Sequence, residues 1–75
     1  MKEVDVFIPG HGPYEPVAAR RWRAFDNAIK LSLATRATRY VRYDEYSGWR
    51  ISIEEPSCNI FWRVEGNRIT LCDRE

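Results

Sequence analysis

A chain of 75 residues makes one domain, with no room for a second. Its net charge of +1, from 12 basic and 11 acidic residues, argues against nucleic-acid binding by overall charge, because such binding grows with the number of phosphates neutralised. The 31% charged and 44% hydrophobic fractions belong to a globular chain and exclude a disordered one.

The start, Met1-Lys2-Glu3-Val4-Asp5, is too charged for a signal peptide. Nowhere does the chain approach the ~20 apolar residues of a membrane span, so a cytoplasmic protein is expected. Val4, Val6 and Ile8 alternate with Glu3, Asp5 and Phe7, the period-two pattern of a strand. Pro9-Gly10-His11-Gly12-Pro13 breaks it, since proline and glycine at that density cannot continue a ladder. From Pro16 to about Ala34 the spacing predicts a helix. Pro16 suits the first helical position, where its missing N–H costs nothing. Ala18, Trp22, Phe25, Ile29 and Leu33 recur at three and four to form one apolar stripe, with Arg20, Arg23, Asn27 and Lys30 opposite.

Four strands are expected after the helix, at about 38–45, 49–55, 59–65 and 68–73. Gly66-Asn67 is a two-residue hairpin signal that pairs Val64 with Ile69 and Trp62 with Leu71. A four-residue loop around Glu55-Pro56-Ser57-Cys58 would pair Ile53 with Ile60, Ile51 with Trp62 and Trp49 with Val64. A three-residue loop, Tyr46-Ser47-Gly48 with Gly48 left-handed, would set Tyr43 opposite Ile51, Val41 opposite Ile53 and Asp44 opposite Arg50. These registers put the apolar side chains on one face, as a half-buried sheet requires. The expected fold is α+β in the order β-α-β-β-β-β, one amphipathic helix packed on an antiparallel meander. The pairing of the first strand is left open. In this register Cys72 lies opposite Phe61, three residues along the strand from Cys58, so both cysteines are expected to be reduced.

The outer sheet face carries the most informative constellation. Arg50 and Arg63 would stand directly opposite each other, with Arg42 diagonal to them and Phe61 and Tyr40 nearby. Like charges across a sheet are unfavourable unless an anion or carboxylate joins them through bidentate hydrogen bonds. Arg42, Arg50, Arg63, Phe61 and Tyr40 are therefore the first candidate partner-binding residues, against the plainer reading of a solvated face balanced by Asp44 and Glu54. The helix stripe Arg20, Arg23 and Lys30 is the second candidate, although charged outer helix faces are usually only solvated.

Chemistry finds little support. Ile8-Pro9-Gly10-His11-Gly12-Pro13 resembles the short proline-glycine-histidine-glycine signature of metallo-β-lactamase-fold hydrolases, but the rest of that family's histidine and aspartate ligands are absent. A zinc site takes three or four protein ligands, and His11 is the only histidine, so no metal or cofactor is expected. No serine or cysteine has a local base, and Glu54 and Glu55 point to opposite faces of a strand. No catalytic residue is assigned.

The segments Gly48-Trp49-Arg50-Ile51-Ser52-Ile53 and Cys58-Asn59-Ile60-Phe61-Trp62-Arg63-Val64-Glu65-Gly66-Asn67-Arg68-Ile69-Thr70-Leu71 resemble the C-terminal hairpins of the RelE and ParE toxin superfamily. The resemblance implies a strand-helix-meander fold, with Arg50 and Arg63 matching basic positions that RNA-cleaving members use to grip message. The family's helical hairpin and C-terminal basic or aromatic segment have no counterpart, since one helix is expected and the sequence ends Asp73-Arg74-Glu75. The reading placed first is a non-enzymatic interaction protein that binds and blocks a larger protein or nucleoprotein complex. In size and in lacking site chemistry it is similar to small phage-encoded inhibitors of host defence such as anti-CRISPR proteins. A RelE/ParE-type toxin is the alternative. A single-stranded nucleic-acid module using the open sheet comes third, weakened by Glu54, Glu55 and Glu65 near that surface.

Overall fold

Alternating polar and apolar residues sort side chains onto two sheet faces, and the turns then decide which strands meet. The computed structural model describes residues 1–6 and 16–75, with side chains at residues 1–5 and 23–75. Its elements are β1 (Lys2–Val6), α1 (Pro16–Thr35), β2 (Arg39–Asp44), β3 (Gly48–Ser52), β4 (Ile60–Glu65) and β5 (Arg68–Asp73). This is the expected α+β order, one helix on an antiparallel sheet. His11 and the breaker around it lie outside the described residues, as do Phe7 and Ile8.

The sheet order is β1-β5-β4-β2-β3, which departs from a meander at two places. First, β1 joins the far edge, pairing with β5 from Lys2↔Asp73 to Val6↔Ile69. Second, β2 lies between β3 and β4, pairing Val41 with Ile51 on one side and with Trp62 on the other. The expected β3–β4 hairpin is therefore replaced by a crossover through residues 53–59. Central placement of β2 takes Val41 fully out of solvent, which a sheet margin would not do. The β4–β5 register is the expected one, with Val64↔Ile69, Trp62↔Leu71 and Phe61↔Cys72.

The β2–β3 register is also corrected, by two residues. Tyr43 faces Trp49, Val41 faces Ile51 and Asp44 faces Gly48, in place of Tyr43 with Ile51. Asp44 Oδ1 accepts the N–H groups of Tyr46 at 2.8 Å and Ser47 at 3.4 Å, so the aspartate initiates the turn one residue earlier than expected. Gly48 supplies the left-handed backbone that follows, at φ 78°. A shift of two preserves the alternation, so every strand side chain keeps its expected face.

The main core lies between α1 and β2, β3 and β4. Ala24, Phe25, Ala28, Val41, Val64 and Ile69 are buried, flanked by Ile29, Trp49, Ile51 and Trp62. The helix is turned from the expected stripe. Ala24, Phe25, Ala28 and Ser32 face the sheet, whereas Leu33 is 54% exposed. Small residues let the helix approach closely, and Ser32 Oγ accepts the Gly66 N–H at 2.8 Å, tying the helix to the β4–β5 turn. Arg23, Asn27 and Lys30 are exposed as expected. Ala18, Arg20 and Trp22 lie outside the described side chains.

The helix ends in a Schellman arrangement. The Ala37 N–H donates to the Ser32 carbonyl at 3.2 Å, and Arg36 takes the left-handed position at φ 54°. A side chain there costs energy that glycine avoids. Arg36→Gly is expected to raise the unfolding free energy by about 0.5–1 kcal/mol, read as a higher urea midpoint at constant m-value. An unchanged or lower midpoint would contradict this helix end.

Candidate functional site

The outer sheet face, opposite α1, divides into a closed half and an open half. On the closed half, Phe61 and Cys72 are fully buried and Thr70 is 2% exposed. The crossover closes over Phe61, while Arg63 and Glu3 of the strands themselves lie against Cys72 and Thr70 Oγ1 donates to Asp5 Oδ1 at 3.4 Å. Ser52 Oγ donates to the Glu54 carbonyl at 2.9 Å as the chain bends off β3, and Pro56 is buried beneath the return. Arg74, just past β5, clamps the crossover. Its Nη1 donates to the Cys58 carbonyl and its Nη2 to Glu55 Oε2, both at 2.9 Å, while its guanidinium lies 4.9 Å above the Phe61 ring. The Arg74 N–H donates to the Asn59 carbonyl at 2.9 Å. Tyr40 completes the packing with an edge-on contact to Phe61 at 5.9 Å.

Arg63 belongs to this half. Its Nη1 donates to Glu3 Oε1 at 2.6 Å and its Nε to Glu65 Oε1 at 2.8 Å. These two hydrogen bonds, Glu3's first, hold the guanidinium pKa far above its already high ordinary value. Glu3 reaches Arg63 because β1 docks beside β5. The carboxylate that the bare sequence could not supply therefore comes from the same chain.

The open half is the β2–β3 ribbon. Arg42 and Arg50 stand directly across from each other there. This corrects the expected Arg50–Arg63 pair, whose strands are separated by β2. Arg42 Nη1 lies 3.5 Å from Asp44 Oδ2, and Arg50 is exposed with no ion pair among the described residues. The Asp44 carboxyl is already engaged. The Tyr46 N–H, with smaller help from Ser47 and Arg42, holds its pKa below the usual value. Its stabilising contribution is present above the ordinary aspartate range and is lost as pH falls through the lower folded value. A cleft of about 250 Å³ beside Arg42 is bounded by Ser52, Glu54, Pro56, Ser57 and Cys58. Two large apolar side chains stand out at the ribbon's ends: Tyr46 at its tip, 97% exposed, and Ile53 just past β3, 72% exposed.

The five first-choice residues are thus only partly brought together. Arg42 and Arg50 share the open ribbon, whereas Arg63, Phe61 and Tyr40 pack into the closed half. The second-choice helix residues Arg23 and Lys30 are exposed, and Arg20 lies outside the described side chains. Sequence reading missed Arg74, Glu3 and Pro56, whose roles depend on contacts distant in the chain. The one available signal was Pro56 itself, a proline inside an expected tight hairpin.

Among the described residues, no three His, Cys, Asp or Glu side chains converge where they could hold a metal ion, and no helix is long and apolar enough to cross a membrane. Both cysteines are free, Cys58 half-buried and Cys72 buried. Burial pushes the Cys72 thiol pKa up, with the Arg63 guanidinium opposing. Excess iodoacetamide is therefore expected to label native protein once, at Cys58, and Cys72 only in denaturant, as read by intact mass and peptide mapping. Equal labelling of both native thiols would contradict the closed outer face. Comparison of the chain with protein-family models, with curated proteins and with solved structures finds no match.

Proposed function

We propose that the chain is a non-enzymatic interaction protein that binds a larger protein or nucleoprotein partner and blocks it, with the β2–β3 ribbon as its contact surface. The observation that carries the reading is the Arg42–Arg50 pair. Two like charges face each other on the ribbon, and among the described residues the one carboxylate paired with either, Asp44, is also engaged in the adjoining turn. Like-charge cross-strand pairs destabilise a sheet, and an external carboxylate or phosphate joining both guanidinia reverses that cost. Arginine and aromatic residues are also favoured at interface hot spots, and Tyr46 stands 97% exposed at the tip of the same ribbon. The toxin alternative matches Arg50 and Arg63 to basic positions that grip message, and Arg63 is held by Glu3 and Glu65 on the other side of β2 from Arg50.

The test uses a photo-crosslinking residue in place of Tyr46 at the ribbon tip or of Asn27 on the outer helix side, in lysate of the organism that makes the protein. A discrete partner is expected from position 46 and not from position 27. Arg42→Glu, with the crosslinker at 46, should reduce capture about tenfold while circular dichroism shows the variant folded. Capture from position 27 alone moves the contact to the helix face. Undiminished capture by the Arg42→Glu variant contradicts the arginine pair as the recognition element.

A further inference from the structure

β3 is an edge strand with a charge at its centre. Residues Gly48–Ser52 pair with β2 on one side and, among the described residues, with no strand on the other. An unpaired edge offers a row of backbone N–H and C=O groups to any extended segment. Along β3, Trp49 and Ile51 face the helix side and are half-buried, while Arg50 is exposed on the outer face beside Arg42.

We infer that β3 receives an antiparallel strand from the partner, an extended segment with a carboxylate opposite Arg50 and apolar residues on either side of it. This rests on the reading of the ribbon as the contact surface and names what that surface takes. Alternation sends the two neighbours of the carboxylate to the helix side, against Trp49 and Ile51. The carboxylate itself lies on the outer face, within reach of both guanidinia of the Arg42–Arg50 pair. Ile53 and Tyr46 extend the apolar contact at the two ends of β3.

Charge decides the occupant. In a two-fold antiparallel pairing of two copies over residues 48–52, Arg50 meets Arg50, a like-charge pair that a sheet disfavours. Sliding the copies one way brings Arg50 to the partner's Gly48 and runs the ladder into the turn at 45–47. Sliding them the other way, by two residues to the partner's Ser52 or by four to its Glu54, runs it into 53–54. There the chain bends, with Ser52 Oγ bonded to the Glu54 carbonyl. A second copy is thus blocked by the same residue that recruits an acidic strand.

The experiment titrates isotope-labelled protein with two synthetic seven-residue peptides of alternating threonine and valine, differing only in a central glutamate or lysine. The glutamate peptide is expected to shift the amides of residues 48–52 saturably and slow their hydrogen exchange. Its affinity should be at least about fivefold that of the lysine peptide, with the preference reversed in Arg50→Glu. The spectrum of that variant away from β3 reports that it is folded. Absence of a saturable shift on β3 at millimolar peptide, or equal binding of the two peptides, overturns the inference. Concentration-dependent protection of β3 without peptide assigns the edge to a second copy and overturns it too. Crosslinking through position 46 without any peptide effect on β3 keeps the contact surface and rejects strand addition, whereas failure of both rejects the surface as well.

Discussion

Phe61→Ala is expected to lower the unfolding free energy by about 3–5 kcal/mol, most of the stability of a domain this small. The ring is fully buried on the sheet face away from the helix. It packs edge-on against Tyr40, lies across from Cys72 and is roofed by the Arg74 guanidinium. Truncation therefore removes apolar burial and leaves a cavity that the crossover can fill only by giving up the Arg74 contacts to Cys58 and Glu55. Urea unfolding followed by circular dichroism measures the loss. On an open face, where the sequence suggested Phe61 would sit, the same substitution would stay within about 0.5 kcal/mol. A result that small would contradict the closed outer face.

Phe25→Ala is expected to cost a similar 3–5 kcal/mol, through the other core. Phe25 is 1% exposed and lies between two tryptophans, 5.6 Å from the Trp62 ring edge-on and 6.1 Å from Trp49. Trp49 and Trp62 are themselves 5.5 Å apart, so the three rings form one cluster joining the helix to β3 and β4. Their geometry contributes about 0.5–1.5 kcal/mol per pair beyond area burial. The variant should show red-shifted tryptophan emission in its native baseline together with the loss of stability. Leu33→Ala is the internal comparison, because Leu33 is 54% exposed and its truncation should cost well under half as much. Equal costs for the two would mean that the helix docks by the stripe running through Leu33.

The face that each strand side chain takes was legible, because alternation is local: Val41, Trp49, Ile51, Trp62, Val64, Ile69 and Leu71 lie on the helix side as their spacing requires. The Gly66-Asn67 turn was legible too, and with it the Phe61↔Cys72 pairing and the separation of the cysteines. Strand order was not. Glu55-Pro56-Ser57-Cys58 has the composition of a tight turn, yet the groups that hold it across the sheet are Arg74 and the chain beside Asn59, which no local pattern connects to it. The helix face was misjudged at Leu33, by favouring bulk. Phe25 and Ile29 pack on the core as their spacing requires, but close approach of helix to sheet selects Ala24, Ala28 and Ser32 over the larger Leu33, and Ser32 gains the Gly66 N–H. For the candidate surface, the pattern singled out Arg42 and Arg50. It assigned Arg63 to the same surface because the position of β1, and so of Glu3, could not be read.

The position of β2 between β3 and β4 underlies the arginine pairing, the closed core beneath the crossover and the place of β3 at the end of the described sheet. A nuclear Overhauser spectrum tests it directly. Cross-strand backbone contacts are expected between Val41 and Trp62 and between Tyr40 and Arg63, alongside those between Val41 and Ile51. Contacts between Ile51 and Trp62 and between Trp49 and Val64, with none from β2 to β4, would restore the meander. Arg50 would then stand beside Arg63, and the account of both halves of the outer face would fail.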